Sequence, residues 1–349
     1  MSIKTGPVFE FPDAPAPGDF VELRPGLLWL RLPIPGALRH INVWLLEGET
    51  GWMLVDTGMR VDGVLEAWEK LHASLPQLGQ LEAILVTHHH PDHFGLAARL
   101  AADHAAPVFM TLRAQASARL LETERDPDID PGLIAYAATQ GLEIDGPTRT
   151  VMAGRNYQRI VSGMPADLRP LADGQELTLA NAHWRVSVHD GHAPGHACLH
   201  AGDLGVLISG DQVLPTISSN VSVLPDNTSE DPLGDYLHSF TVLAGLPEDT
   251  LVLPAHGRPF RGLHARMGEI RAEHEDRLGL LEAACATPRS TLDLVGTLFR
   301  LERFDALNRM LAIGETLAHL RYLECRHKVL RTGVGPGLRW RACGSLGEY

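Results

Sequence analysis

The feature that most constrains this chain is the stretch Thr87-His88-His89-His90-Pro91-Asp92-His93-Phe94-Gly95, which sets four histidines and an aspartate within six consecutive positions. It follows directly on the apolar run Leu81-Glu82-Ala83-Ile84-Leu85-Val86, which reads as a buried strand. The cluster therefore stands where a strand ends and a loop begins. Neutral imidazole and carboxylate are the donors that suit zinc and similar divalent metals. The spacing His-x-His-x-Asp-His puts His88 and His90 on one metal and leaves Asp92 and His93 for another, with His89 pointing away.

A chain of 349 residues has room for one large domain and a smaller one. At 44% hydrophobic and 21% charged residues its composition is that of a soluble globular protein. Met1 to Pro7 hold no apolar core of signal-peptide length, and no later stretch is suited to span a membrane, so a cytoplasmic location is expected. Cys198, Cys285, Cys325 and Cys343 lie far apart with no CxxC pair, which favours reduced thiols over a disulfide framework. The net charge of −13 argues against a general nucleic-acid binder. From Arg266 onward there are 13 basic and 11 acidic residues, so the acidity belongs to the first 265.

Taken in order, a proline-bearing lead-in gives way to three short apolar runs, 26–32, 41–46 and 52–56, divided by Pro and Gly; these read as strands joined by turns. An amphipathic helix over about 62–73, the strand 81–87, a helix through 96–100, a strand at 107–110 and a helix at 112–121 follow. Residues 122–175 form an insertion of weak periodicity, either a lid or a surface elaboration, with a helix at about 133–141. Strand signals return at 176–179, 184–189, 198–200, 206–209 and 250–254. Strands followed by strand–helix alternation point to a layered α/β domain. Beyond it, 262–286 is helical and charged, Leu292 to Leu301 form a further segment, and a helix over 304–327 carries Ile313, Leu317, Leu320 and Leu323 on one face. We place the boundary near residue 265, giving a first domain of 1–265 and a second of 266–349.

Three more candidate ligands follow apolar strands in the first domain: His196 in Pro194-Gly195-His196, Asp211 in Ser209-Gly210-Asp211 and His256 in Ala255-His256-Gly257. Ligands at strand ends can gather at one edge of a sheet, where open α/β architectures place their chemistry. Together with Asp56-Thr57-Gly58 and His88-x-His90-x-Asp92-His93, in this order, they resemble the metallo-β-lactamase superfamily from about residue 23 to 260. The resemblance implies an αββα sandwich with a dinuclear site on one rim. One metal would take His88, His90 and His196, the other Asp92, His93 and His256, and Asp211 would bridge them. It further implies Asp92 and Asp211 as catalytic carboxylates, Asp56 as a residue that orients a ligand, and His183, His189, His192 and His200 as structural or solvent-facing, His192 being the one to watch. Two divalent ions about 3.5–4 Å apart, zinc foremost with iron or manganese as alternatives, can share a water and bring its pKa toward about 7.

An aspartate at position 211 resembles the thioesterase, lactonase and nuclease branches rather than true zinc β-lactamases. The glyoxalase II-like and β-lactamase-like endoribonuclease branches both match the core motifs. The expected reaction is hydrolysis of a small acyl substrate, a thioester or lactone. A phosphodiesterase or ribonuclease on the same site, or a mononuclear iron enzyme like the persulfide dioxygenases, is the alternative. The tail, with a helix through Glu315–Leu323 and the runs Lys328–Arg331 and Leu338–Arg341 about Gly333-Val334-Gly335-Pro336-Gly337, resembles the recognition helix and wing of a winged-helix domain. Its basic residues make nucleic acid a partner to weigh, but repulsion by the acidic first domain favours a structural role or a homodimer contact. For substrate contacts the candidates are Arg155, Tyr157, Ser218, Ser219, Asn220 and Arg258.

Overall fold

The computed structural model describes residues 6–36, 38–74, 81–123, 155–223, 227, 229–301 and 304–343. Two seven-stranded sheets lie face to face. The first runs β2 (Phe20–Arg24), β3 (Leu27–Pro33), β4 (His40–Glu47), β5 (Trp52–Val55), β6 (Leu81–Leu85), β7 (Val108–Thr111) and β8 (Leu168–Leu171). Its first four strands form an antiparallel meander, and β5 to β8 pair in parallel. The second sheet runs β1 (Val8–Phe9), β14 (Phe260–Arg261), β13 (Leu251–Pro254), β12 (Val206–Gly210), β11 (His196–Ala201), β10 (Ala182–His189) and β9 (Glu176–Leu179). It is antiparallel except where β12 meets β13.

Side chains alternate across each strand, and here both faces are covered. In β4, Ile41, Val43 and Leu45 pack with Val64 and Trp68 of α1 (Asp62–Ser74) and Leu100 of α3 (Ala97–His104). Trp44 and Leu46 of the same strand face the other way and meet Trp184, Leu199, Ile208 and Leu253 of the second sheet. The far side of that sheet packs Leu207 and Val252 against Leu233, Tyr236 and Phe240 of α6 (Pro232–Leu243) and Ile270 of α7 (Leu263–Ala284). The result is the expected αββα sandwich. Each fully buried leucine or isoleucine in these layers contributes roughly 2 kcal/mol relative to exposure, so a polar residue at Ile208 would break the join between the sheets.

The strand expected over 81–87 stops at Leu85 for a reason that bears on the site. The Leu85 carbonyl accepts from the Asp56 N–H at 2.9 Å, and the Thr87 N–H turns to Asp56 Oδ1 at 2.8 Å instead of to a neighbouring strand. The single-turn helix α2 (Pro91–Phe94) follows β6, α4 (Leu112–Thr123) follows β7, and α5 (Arg155–Ile160) precedes β8. The helix expected at 133–141 lies outside the described residues, as does most of the insertion.

Beyond α7 come α8 (Thr291–Leu298), α9 (Ala306–Cys325) and the antiparallel pair β15 (Val329–Thr332) and β16 (Arg339–Ala342). Ser290 and Asp293 cap α8 reciprocally, and Asp305 caps α9 by accepting from the Asn308 N–H at 2.8 Å. Trp340 is fully buried and donates from Nε1 to Thr291 Oγ1 at 3.1 Å, tying the hairpin to α8. A division at 265 falls in the first turn of α7, and the apolar cluster under α6 and α7 continues without a break into Leu294, Leu317, Leu320, Leu323 and Trp340. The second unit is thus cored together with the second sheet. Among the described residues no helix is long and apolar enough to cross a membrane.

Candidate metal centre

Four loops at one rim of the sandwich supply the polar groups, each at the end of a strand. The first follows β6. Pro91 opens α2 with His90 still extended, so the chain turns sharply and the N–H groups of His93 and Phe94 close back on the His90 carbonyl at 3.0 and 2.9 Å. Gly95 ends the turn where a β-carbon would collide with the carbonyls of Pro91, Gly58 and Ile160. The Tyr157 hydroxyl donates to the His89 carbonyl at 2.8 Å and holds the loop from behind.

Asp56 organises this loop. It adopts a left-handed φ of 63°, which aspartate tolerates better than most residues, and is buried. Its Oδ2 accepts from His93 Nδ1 at 2.7 Å, and the Thr87 hydroxyl lies 3.0 and 2.9 Å from its two oxygens. With the proton of His93 held on Nδ1, the lone pair of Nε2 faces the rim. His256 is oriented in the same manner by its Nδ1, which donates to the His40 carbonyl at 2.8 Å.

The donor atoms fall into two groups. In one, His88 Nε2 stands 2.9 Å from His90 Nδ1 and 3.2 Å from His192 Nε2, which in turn is 3.3 Å from Asp211 Oδ2. In the other, His256 Nε2 is 3.4 Å from Asp92 Oδ2, and His93 Nε2 is 3.7 Å from the same oxygen. Asp211 reaches this group too, with Oδ1 3.4 Å from His256 Nε2 and Oδ2 3.5 Å from His93 Nε2. Ligands bound at 2.0–2.2 Å around a tetrahedral ion stand about 3.3–3.6 Å apart, which is the spacing of most of these contacts. His93 Nε2, His256 Nε2 and Asp211 Oδ1 are buried and make no well-formed hydrogen bond among the described residues. Buried polar atoms are costly without a partner, and a divalent ion in each group would supply one. The residues fit two metals.

The charges agree. Burial, reinforced by the imidazoles around it, holds His88 well below the ordinary histidine range. Burial also opposes charge on His93 and His256, but Asp56, Asp92 and Asp211 outweigh it at His93, and Asp211 and Asp92 do so at His256; His93 is raised well above its usual value and His256 to about 10. Burial likewise opposes charge on Asp92 and Asp211, and the histidines overcome it, taking Asp92 to about 2 and Asp211 well below the carboxylate range. Protons thus balance the carboxylates where metal ions would otherwise do so.

The structure departs from the expected ligand set at one position. His196 is not in the first group. It is the first residue of β11, paired in register with His189, and its Nε2 accepts the Asp211 N–H at 3.0 Å beneath Gly210. Its ring stacks beneath that of His88, 4.8 Å between centroids, with Nε2 already used by the Asp211 N–H. His192 takes the place instead: it sits in the loop before the Pro194-Gly195 turn, and its Nδ1 donates to the Asn220 carbonyl at 2.7 Å. The sequence shows only two histidines four apart about that turn, and the start of β11 at His196 is what leaves His192 in the loop at the rim. His88, His90 and Asp211 stand together with His192, and Asp92, His93 and His256 form the neighbouring group.

The candidate substrate contacts behave differently. Arg258 donates to the Pro12 carbonyl at 2.7 Å and lies over the Phe9 ring, holding the lead-in. Ser219 donates to the Asp211 carbonyl, so it steadies the ligand loop. The side chain of Arg155 lies outside the described residues. A further cluster, His274, Glu315 and His319, lies in the second unit. Its members bond chiefly to one another: His274 Nδ1 and His319 Nε2 are 3.0 Å apart, His319 Nδ1 donates to the Glu315 carbonyl at 2.8 Å, and Arg277 pairs with the Glu315 carboxylate, while His274 Nε2 is buried with no hydrogen-bond partner among the described residues.

Comparison with known proteins matches residues 36–256 to the Metallo-beta-lactamase superfamily and residues 278–340 to the Metallo-beta-lactamase-like, C-terminal domain. A solved beta-lactamase domain protein from Burkholderia ambifaria is 36% identical, covering 97% of this chain and 98% of that one with a TM-score of 0.87. A metallo-beta-lactamase family protein from Thermus thermophilus is 32% identical, over 92% of this chain and 100% of that one, at a TM-score of 0.78. Among curated proteins, a probable metallo-hydrolase of Bacillus subtilis is 25% identical over 86% of this chain and 92% of its own length. A hydroxyacylglutathione hydrolase of Albidiferax ferrireducens is 27% identical over 64% of this chain and 65% of its own.

Proposed function

The chain belongs to the metallo-beta-lactamase superfamily, and from that premise we propose a two-metal hydrolase that cleaves a small acyl substrate, a thioester or a lactone. Its ligands are His88, His90 and His192 for one ion and Asp92, His93 and His256 for the other, with Asp211 shared between them. Zinc is the metal we assign, because the donors are imidazole nitrogens and carboxylate oxygens. The observation that carries the reading is the position of Asp211, one carboxylate within 3.3–3.5 Å of His192 and His93 through Oδ2 and of His256 through Oδ1.

When bound, such a pair of ions polarises a carbonyl oxygen and makes a shared water a nucleophile at neutral pH. The protein's own part is to hold and orient. Asp56 fixes His93 through Nδ1, the His40 carbonyl fixes His256, and the Asn220 carbonyl fixes His192. Asp92 and Asp211 are both held ionised by the imidazoles beside them, and present carboxylate oxygens at the reacting face. Likeness to hydroxyacylglutathione hydrolases supports the thioester.

The phosphodiesterase reading draws on the basic residues of the second unit. Part of that charge is answered within the chain: Arg321 and Arg331 pair with Glu324, and Arg326 with Asp231. That supports a small substrate over a nucleic acid. The test is metal analysis followed by a substrate panel of acyl-CoA and glutathione thioesters, lactones and bis-p-nitrophenyl phosphate. Two metals per chain with thioester or lactone turnover is expected. One iron per chain with oxygen consumption, or phosphodiester cleavage far above any acyl rate, overturns the reading.

A further inference from the structure

The loop that carries Asn220 is held less by the sandwich than by the second unit. The Asn220 side chain donates from Nδ2 to Glu315 Oε2 at 3.0 Å, on α9. Its Oδ1 accepts from the Ser222 hydroxyl, and the Val223 N–H donates to the Gly314 carbonyl at 3.1 Å. Gly314 permits this approach, since a β-carbon there would stand 2.7 Å from Ser222 Oγ. Glu315 in turn is fixed by Arg277 of α7 and is almost wholly buried. Three consecutive bonds therefore lead from the second unit to the rim: Arg277 to Glu315, Glu315 to the Asn220 amide, and the Asn220 carbonyl to His192 Nδ1 at 2.7 Å.

We propose that Glu315 is a positioning residue for the metal centre: it holds Asn220 so that the Asn220 peptide carbonyl sets the ring orientation and tautomer of His192, which makes the second unit a working part of the first metal site. This rests on the assignment of His192 as a ligand. Partners behind a ligating histidine fix its tautomer and raise its basicity, and their loss lowers metal affinity about 10–100-fold. Glu315 acts one bond further out, so the lower end, about tenfold, is expected. The effect falls on one site. His93 and His256 are held by Asp56 and the His40 carbonyl, whose hydrogen bonds among the described residues do not run to α9.

The experiment titrates cobalt(II) into the metal-free full-length protein and follows the visible absorption bands of the two sites, with melting temperature measured on the same samples. Glu315→Ala should weaken binding at one site about tenfold and shift its bands, leaving the other unchanged. Glu315→Gln, whose amide oxygen can still accept from Asn220, should restore most of the affinity. Thr291→Val, which removes the bond to Trp340 in the same unit, reports destabilisation alone and should leave both sites intact. Equal weakening of both sites in Glu315→Ala, wild-type affinity at both, or the same change in Thr291→Val overturns the proposal. A wild-type protein that binds fewer than two cobalt ions, or a His192→Ala variant that still binds two normally, overturns the dinuclear assignment itself.

Discussion

Replacing Asp56 by asparagine changes one atom, yet the structure forbids it a good orientation. Oδ1 accepts the Thr87 N–H at 2.8 Å and Oδ2 accepts His93 Nδ1 at 2.7 Å, so both oxygens face donors. With the asparagine nitrogen toward Thr87, two N–H groups confront each other in a buried site, which costs about 1–3 kcal/mol. With the nitrogen toward His93, the imidazole must move its proton to Nε2 and turn N–H rather than a lone pair toward Asp92 and Asp211. The chain takes whichever costs less, and the second option removes a ligand. Loss of partners of this kind lowers metal affinity about 10–100-fold, or roughly 1.4–2.7 kcal/mol. Competition with a graded chelator, read together with kcat and with urea unfolding of the metal-free protein, measures both costs. The expected result is a metal site weakened by at least tenfold, or a metal-free protein destabilised by at least about 1 kcal/mol. An Asp56→Asn protein unchanged in both would refute the tautomer argument and the role given to Asp56.

Three further outcomes follow from the same geometry. His192→Ala should lose one metal and the activity, whereas His196→Ala should keep both metals at lower melting temperature, because the Asp211 N–H loses its acceptor at about 1–3 kcal/mol; elemental analysis and thermal unfolding separate them. Asp211→Ala should abolish turnover and weaken both metals, and retention of normal metal content and rate would exclude a shared carboxylate. Burial holds His274 down to about 3 and His319 to about 4, below the unfolded value of about 6.5. The neutral forms therefore stabilise the fold fully above about pH 6.5, and this contribution drains as the pH falls toward 4 and then 3. A His274→Phe variant should show a shallower acid-side fall in urea midpoint between pH 7.5 and 5, and an identical fall would exclude the assignment.

Much of this protein was legible in its residues. A dense His/Asp loop after a buried strand dictates metal chemistry, since no other use of five such side chains in six positions is as favourable at a strand end. Short apolar runs and helical spacing are local properties, so a layered α/β domain and the helices α7 to α9 could be read before any contact was known, and the family resemblance implied the αββα sandwich. The choice between His192 and His196 could not. Both are histidines beside the same turn, and only the ladder position of His196 and the hydrogen bond it makes to Asp211 decide which ring nitrogen remains available. Tertiary structure also decided the fate of the charges beyond residue 265, because a basic run is a nucleic-acid surface only if its counter-charges are elsewhere, and Asp231 and Glu324 lie beside it. The bond between Glu315 and Asn220 joins residues 95 apart, through a fold in which α9 packs against the loop beyond Asp211. No pattern in the chain encodes such a pair, since each residue reads locally as an ordinary helix or loop position, and their contact exists only once two sheets and the helices around them have closed.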